Sequence, residues 1–238
     1  MADFQKLNNI DHQNVRVQTG FGAQFGDDVM FVLTFPEEMR SIQAHYPILI
    51  HKDPVSGKFS PIALLGFERG ENLFLQADRW DASYVPAMMR RQPFLIGEDK
   101  SSISDRQHVV AIDMEHPRVS LEVGEPLFLE QGGPSDFLES KATLLEHLRQ
   151  ASEANDKFVT ALVEHGLVQS VTLSIKLSNG ESYELQDFFG IDDDALQRAD
   201  GRLVTTLAEA GWLMPCFMMV ASMSQLGRLV ERRNRSLE

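Results

Sequence analysis

Apolar positions fall in short runs through the first 130 residues and at helical spacing after that. Asp28 to Phe35 is nearly all apolar and ends at Pro36, which predicts a buried strand. Pro36 to Ile42 then fits a short helix, with proline at its first position and Glu37 and Glu38 in its first turn. Three more runs follow: Tyr46 to Ile50, Phe59 to Phe67 and Asn72 to Leu75. Asp53-Pro54-Val55-Ser56-Gly57 and Arg69-Gly70-Glu71 punctuate them, so the pattern predicts an antiparallel meander. His108 to Met114 and Pro126 to Leu129 add two further strands.

Gln131-Gly132-Gly133-Pro134-Ser135 breaks this pattern. Beyond it Phe137, Leu144, Leu148, Ala151, Phe158 and Leu162 recur at spacings of three, four or seven, predicting one long helix or two abutting ones over Asp136 to His165. Ser135 or Asp136 can cap its start and Gly166 its end. Val171, Leu173, Ile175 and Leu177 then alternate with polar residues, Asn179-Gly180 supplies a two-residue turn, and Tyr183 and Leu185 alternate on the return. Asp192-Asp193-Asp194 resembles a metal cluster. It lacks the spaced ligands of a calcium loop and reads better as acids at a helix N-terminus. Leu203 to Ala210 predicts a helix stopped by Gly211, Met214 to Val220 a strand, and Ser222 to Arg235 a terminal helix. Met214, Met218, Met219 and Met223 are read as core fillers.

The fold class expected is therefore α+β: an antiparallel β-rich part over residues 1–130 packed with a part over 131–238 that holds the long helix, hairpin and terminal helices. The two parts are expected to form one integrated globular unit.

Charge narrows the function. A net charge of −13 and a pI near 5.0 repel phosphate backbones, so nucleic acid is not an expected partner. The basic cluster Arg228, Arg232, Arg233 and Arg235 is interspersed with Glu231 and Glu238 and reads as a solvated helix end. Cys216 is the only cysteine and sits in an apolar run, which suits a buried hydrophobe rather than a nucleophile. The first ten residues carry no secretory pattern, and no window approaches the ~20 apolar residues of a bilayer span. The expected location is cytoplasmic, with no membrane span.

The stretch Arg79 to Phe94 is the main candidate for function. It holds a tryptophan, a tyrosine, a phenylalanine, three arginines and two prolines. Rings and guanidinium groups anchor recognition surfaces because they bury much area for little lost rotamer freedom. Arg79, Trp80, Tyr84, Arg90, Arg91 and Phe94 are the candidate residues for binding a partner protein or a small anionic or aromatic ligand. The structural alternative docks Trp80 and Phe94 into the core, sets the chain direction with Pro86 and Pro93, and pairs the arginines with acids.

Catalytic signals are sparse. His51-Lys52-Asp53 offers a His-x-Asp pair that, with a distant His108, His116, His147 or His165, suggests a metal-dependent oxygenase. The pair sits at a turn, where Asp53 before Pro54 explains itself. Phosphate-binding, nucleophile-elbow and zinc-protease motifs are missing, and Gly20 to Gly26 reads as a flexible glycine-dotted loop. Glu37/Glu38 and Asp27/Asp28 are sequence neighbours and do not face each other as an acid/base couple.

Leu7 to His12, Leu33 to Glu38, His45 to Ile48, Gly70 to Leu75, Trp80 to Phe94, Gly124 to Phe128 and Leu229 to Asn234 together resemble the bacterial SapC-like family over nearly the whole chain. The resemblance implies a setting of surface-layer biogenesis or nutrient uptake through TonB-type receptors, often beside tryptophan-halogenase-like flavoproteins. It brings no catalytic residues. The expectation is a non-enzymatic accessory or binding protein without a cofactor, with the metal-dependent enzyme and a structural self-associating subunit as alternatives.

Overall fold

A computed structural model describes residues 2–77, 79–99 and 107–237; Glu238 of the basic tail lies outside them. In chain order the strands and helices of the first half are β1 Phe4–Lys6, β2 Arg16–Val17, β3 Phe31–Leu33, α1 Met39–Ile42, β4 Ile48–Lys52, β5 Phe59–Leu64, β6 Leu75–Gln76, β7 Arg79–Trp80, α2 Ala87–Arg90, β8 Phe94–Asp99, β9 Gln107–Asp113, β10 Val119–Ser120 and β11 Glu125–Pro126. The second half carries α3 Asp136–Glu164, β12 Val168–Lys176, β13 Ser182–Ile191, α4 Asp193–Gln197, α5 Gly201–Glu209, α6 Leu213–Ser222 and α7 Gln225–Arg235. Antiparallel strands dominate the first half and helices the second, which makes the fold α+β.

The chain divides into two compact units, and the division does not fall at 130/131. One unit takes the chain up to Asp27 with Leu75–Trp80 and Ala87–Gln150. The other takes Asp28–Phe74, Asp81–Pro86 and everything from Ala151 onward. The boundary crosses α3 itself. Its 29 residues are capped by Ser135, whose Oγ accepts from Leu138 N at 3.2 Å, and closed by Gly166 at φ 65°.

The first unit is built from small antiparallel sheets, β1-β9-β8 and β10-β2-β11, with the β6-β7 ribbon. Phe94 faces Ile112 across the β8-β9 ladder, and both are fully buried. Val15, Val17, Leu127, Leu138 and Leu145 complete this core. Strands β1, β2 and β8 were not expected from the sequence; β1 and β2 are two or three residues long, too short to show a period.

The second unit centres on one antiparallel sheet in the order β12-β13-β4-β5-β3. The C-terminal hairpin joins the meander where Phe188 pairs with His51 and Phe189 with Ile50. Ile48, Leu49, Ile50, Ile62, Ala63 and Leu64 are fully buried, as the continuous apolar runs of β4 and β5 require. The hairpin closes through a three-residue loop, not two. Leu177 N donates to Glu181 O and Gly180 takes φ 91°, the residue after the turn that needs a positive φ.

Met214 to Val220 is helical, correcting the strand expectation. Its buried residues Pro215, Cys216, Met219 and Ser222 recur at one, three and three, a helical face that an all-apolar run does not reveal by periodicity. Ser222 Oγ accepts from Ile48 N at 2.8 Å and donates to Met219 O at 2.6 Å, fastening α6 to β4. Burial pushes the Cys216 thiol up to about 12. Leu213–Arg235, 23 residues, is long and apolar enough to cross a membrane by length and composition alone. A turn at Met223 and Ser224 interrupts it, and Leu229 is buried in the second unit.

Candidate functional site

The arginine-aromatic stretch is divided between the two units. Tyr84 belongs to the second; Arg79, Trp80, Arg90, Arg91 and Phe94 belong to the first. Trp80 is 8% exposed and meets the Phe21 ring edge-on at 5.5 Å, and Phe94 is 0% exposed in the core. Arg79 is exposed and donates to Gln76 Oε1 at 3.2 Å. Arg91 is half-buried and donates to Phe94 O at 2.7 Å; burial pushes its pKa down. The Tyr84 hydroxyl donates to Glu38 Oε2 at 2.8 Å, and Glu38 Oε1 accepts from Thr34 Oγ1 at 2.8 Å. Of the six residues, Trp80 and Phe94 spend their rings on the interior. Arg90, the exposed last residue of α2, lines a cleft.

That cleft, of about 220 Å³, lies wholly in the first unit. Its walls include Phe21, Met89, Arg90, Arg118, Phe137 and Lys141, and among the described residues no carboxylate lines it. Its floor is set by Arg118. This guanidinium is 3% exposed and grips both carboxylate oxygens of Asp27, itself 1% exposed, at 2.9 and 2.6 Å. It also donates to Gln18 O at 3.1 Å and to Gly20 O, and lies over the rings of Phe21 and Phe25 at 5.4 and 4.6 Å. Gly22 N donates to Asp27 Oδ2 at 2.9 Å. The glycine-dotted segment expected to be a flexible loop is thus wrapped around a buried ion pair, and Phe21, braced by Trp80, becomes a cleft wall.

Lys141 stands opposite on α3. Its ammonium donates to Arg90 O at 2.6 Å and lies 5.1 Å from the centre of the Phe137 ring. Desolvation, then the nearby Arg118 and Arg90 charges, lower its pKa to about 8. At neutral pH it is still charged. With Arg118 balanced by Asp27, Lys141 brings a cation between the aromatic walls, and Arg90 stands at the same cleft. Arg118, Lys141, Asp27, Phe21 and Phe137 escaped the sequence reading; the glycine-dotted loop with its two phenylalanines was the only local signal.

His51 and Asp53 do other work. The His51 ring lies 4.9 Å from Phe31 and 5.8 Å from Phe188. Asp53 Oδ1 accepts from Ser56 N, Ser56 Oγ and Val55 N at 2.6, 2.7 and 3.1 Å, and these bonds pull its pKa down. Among the described residues no three His, Cys, Asp or Glu side chains gather as a metal site. In the second unit His45 Nε2 lies 2.6 Å from Ser83 Oγ, and burial with Arg232 and Arg228 lowers the histidine pKa. No carboxylate bonds the other ring nitrogen among the described residues, so the pair lacks the orienting group of a nucleophilic triad.

The family model described as SapC matches residues 7–229, and the chain belongs to that family. No curated protein and no solved structure matches it.

Proposed function

We propose that this SapC-family chain is a non-enzymatic accessory protein that captures a small organic anion, its charged head at Lys141 and Arg90 and its apolar or aromatic body against Phe21 and Phe137. The observation that carries this reading is the desolvated Lys141 ammonium, held in an aromatic-walled cleft that no carboxylate among the described residues lines. An anion placed there gains charge-assisted hydrogen bonds in a site where water screens poorly. The cleft is smaller than the ~300–1,000 Å³ usual for drug-sized ligands, so the ligand is small. In the setting the family resemblance implies, surface-layer biogenesis or TonB-type uptake, such a protein holds a solute rather than transforming it.

The test compares benzoate with neutral benzamide, titrated into the whole protein at neutral pH by calorimetry. Benzoate should bind saturably and benzamide should not. Lys141→Met and Arg90→Ala should each weaken benzoate by about tenfold, since a hydrogen bond to a charged group contributes ~1.5–3 kcal/mol. Equal binding of the two probes, or full benzoate affinity in both variants, removes the reading.

A further inference from the structure

The five-stranded sheet of the second unit has two unequal edges. One is β3, three residues long. The other is β12, nine residues, Val-Gln-Ser-Val-Thr-Leu-Ser-Ile-Lys, which among the described residues pairs only with β13. The ladder fixes which backbone groups of β12 face outward. Leu177 N donates to Glu181 O at the hairpin end, and Asp192 N donates to Leu167 O at the other. Both bonds place odd-numbered residues on the β13 side. In an antiparallel ladder that leaves the N–H and C=O of Val168, Ser170, Thr172, Ser174 and Lys176 pointing away from the sheet. In the second half of the strand the side chains follow the same parity, with Leu173 and Ile175 buried and Thr172, Ser174 and Lys176 exposed; in the first half Gln169 and Ser170 are both exposed and Val168 and Val171 half-buried.

Natural sheets blunt such an edge with proline, inward charges or a short strand. β12 has none of these, and its one charge is Lys176 at the end; the ladder does slip register between Val171 and Leu173, but the extra residue is on β13, so β12 keeps its parity on both sides of the bulge. In a chain of net charge −13 it is also a nine-residue stretch without an acid. It is self-complementary. A two-fold axis at Thr172 sets Thr172 against Thr172, Ser170 against Ser174 and Val168 against Lys176, so no like charges face each other. Those five residues are the ones with outward groups, so they form the bonded pairs of a new ladder. Hydroxyl pairs across a ladder are favourable. Because β3 is so short, the sheet can grow at one edge only, and the pairing closes as a dimer instead of propagating.

We infer that β12 is a homodimer interface, at which two copies of the chain join antiparallel about Thr172 into one continuous sheet. The inference is independent of the anion cleft, which lies in the other unit.

Mass measurement by light scattering on the whole protein, over a wide concentration range, tests it. Wild type should be a dimer. Ser170→Lys with Ser174→Lys sets lysine against lysine at two symmetry-related places and should raise the dimer dissociation constant by at least about fivefold, because like charges directly opposite are destabilising. Ser170→Glu with Ser174→Lys sets opposite charges together at the same places and should keep the dimer. All four substitutions lie at exposed positions, and thermal melting checks that the fold survives. A monomeric wild type overturns the inference, as does a double-lysine variant that dimerises like wild type. A charge-paired variant as weak as the double-lysine one overturns the register.

Discussion

Asp27 and Arg118 are buried to within a few per cent, and a charge taken out of water is tolerable only when its partner and its remaining donors are satisfied. The Arg118 guanidinium answers most of that demand through its two terminal nitrogens, which bond Asp27 and two backbone carbonyls, and through two rings, while its buried Nε–H has no hydrogen-bond partner among the described residues. Asp27→Ala leaves the cation stranded and should destabilise the protein by about 3–5 kcal/mol, read from denaturant unfolding. Lys141 gives a pH signature. Its pKa falls from 10.5 to about 8, so between these values the unfolded chain binds more protons than the folded one, and stability rises with pH across that window. Lys141→Met should flatten that rise and be the more stable protein at neutral pH. A bound anion favours the charged lysine, so benzoate affinity should fall as pH increases through about 8. None of this was legible locally. Asp27 and Arg118 are 91 residues apart, and the sequence showed only Asp27 beside Asp28 and a loop rich in glycine. The aromatic half of the recognition stretch was easier to misread, because a tryptophan or phenylalanine looks the same on paper whether it binds a ligand or fills a core, as Trp80 and Phe94 do.

Elements governed by short-range chemistry were read well. Asp192 caps α4 as its position before Ala195 suggested, with Oδ1 accepting from Ala195 N at 2.8 Å. Asp200 does the same for α5, accepting from Leu203 N at 2.8 Å. Asp200→Ala should cost about 1 kcal/mol, checked by the thermal midpoint. The long helix and the hairpin were visible because their periods persist over many residues. α6 was lost because ten mostly apolar residues carry no contrast. The second sheet of the first unit depends on one glycine: Gly124 sits at φ 110°, and a Cβ there would come within 2.5 Å of the Val17 backbone. Gly124→Ala should destabilise by more than about 1 kcal/mol, measured as a shift in denaturation midpoint.

At the scale of the whole molecule, the chain visits each unit more than once, so sequence order and spatial order part company. That is why composition located the α+β class but not the division into units: contacts between residues over a hundred positions apart leave no periodic trace. The second unit cannot finish its sheet until β13 reaches β4, and Ser222 then ties α6 to Ile48. Hydrogen exchange should find the Ile48–Ile50 amides among the slowest in the protein. Cys216 lies in the same interior, with a thiol that hardly ionises. A thiol-reactive dye added to native protein must therefore wait for that interior to open, and the colour then develops at the opening rate. One sulfur atom becomes a clock for the lifetime of the fold.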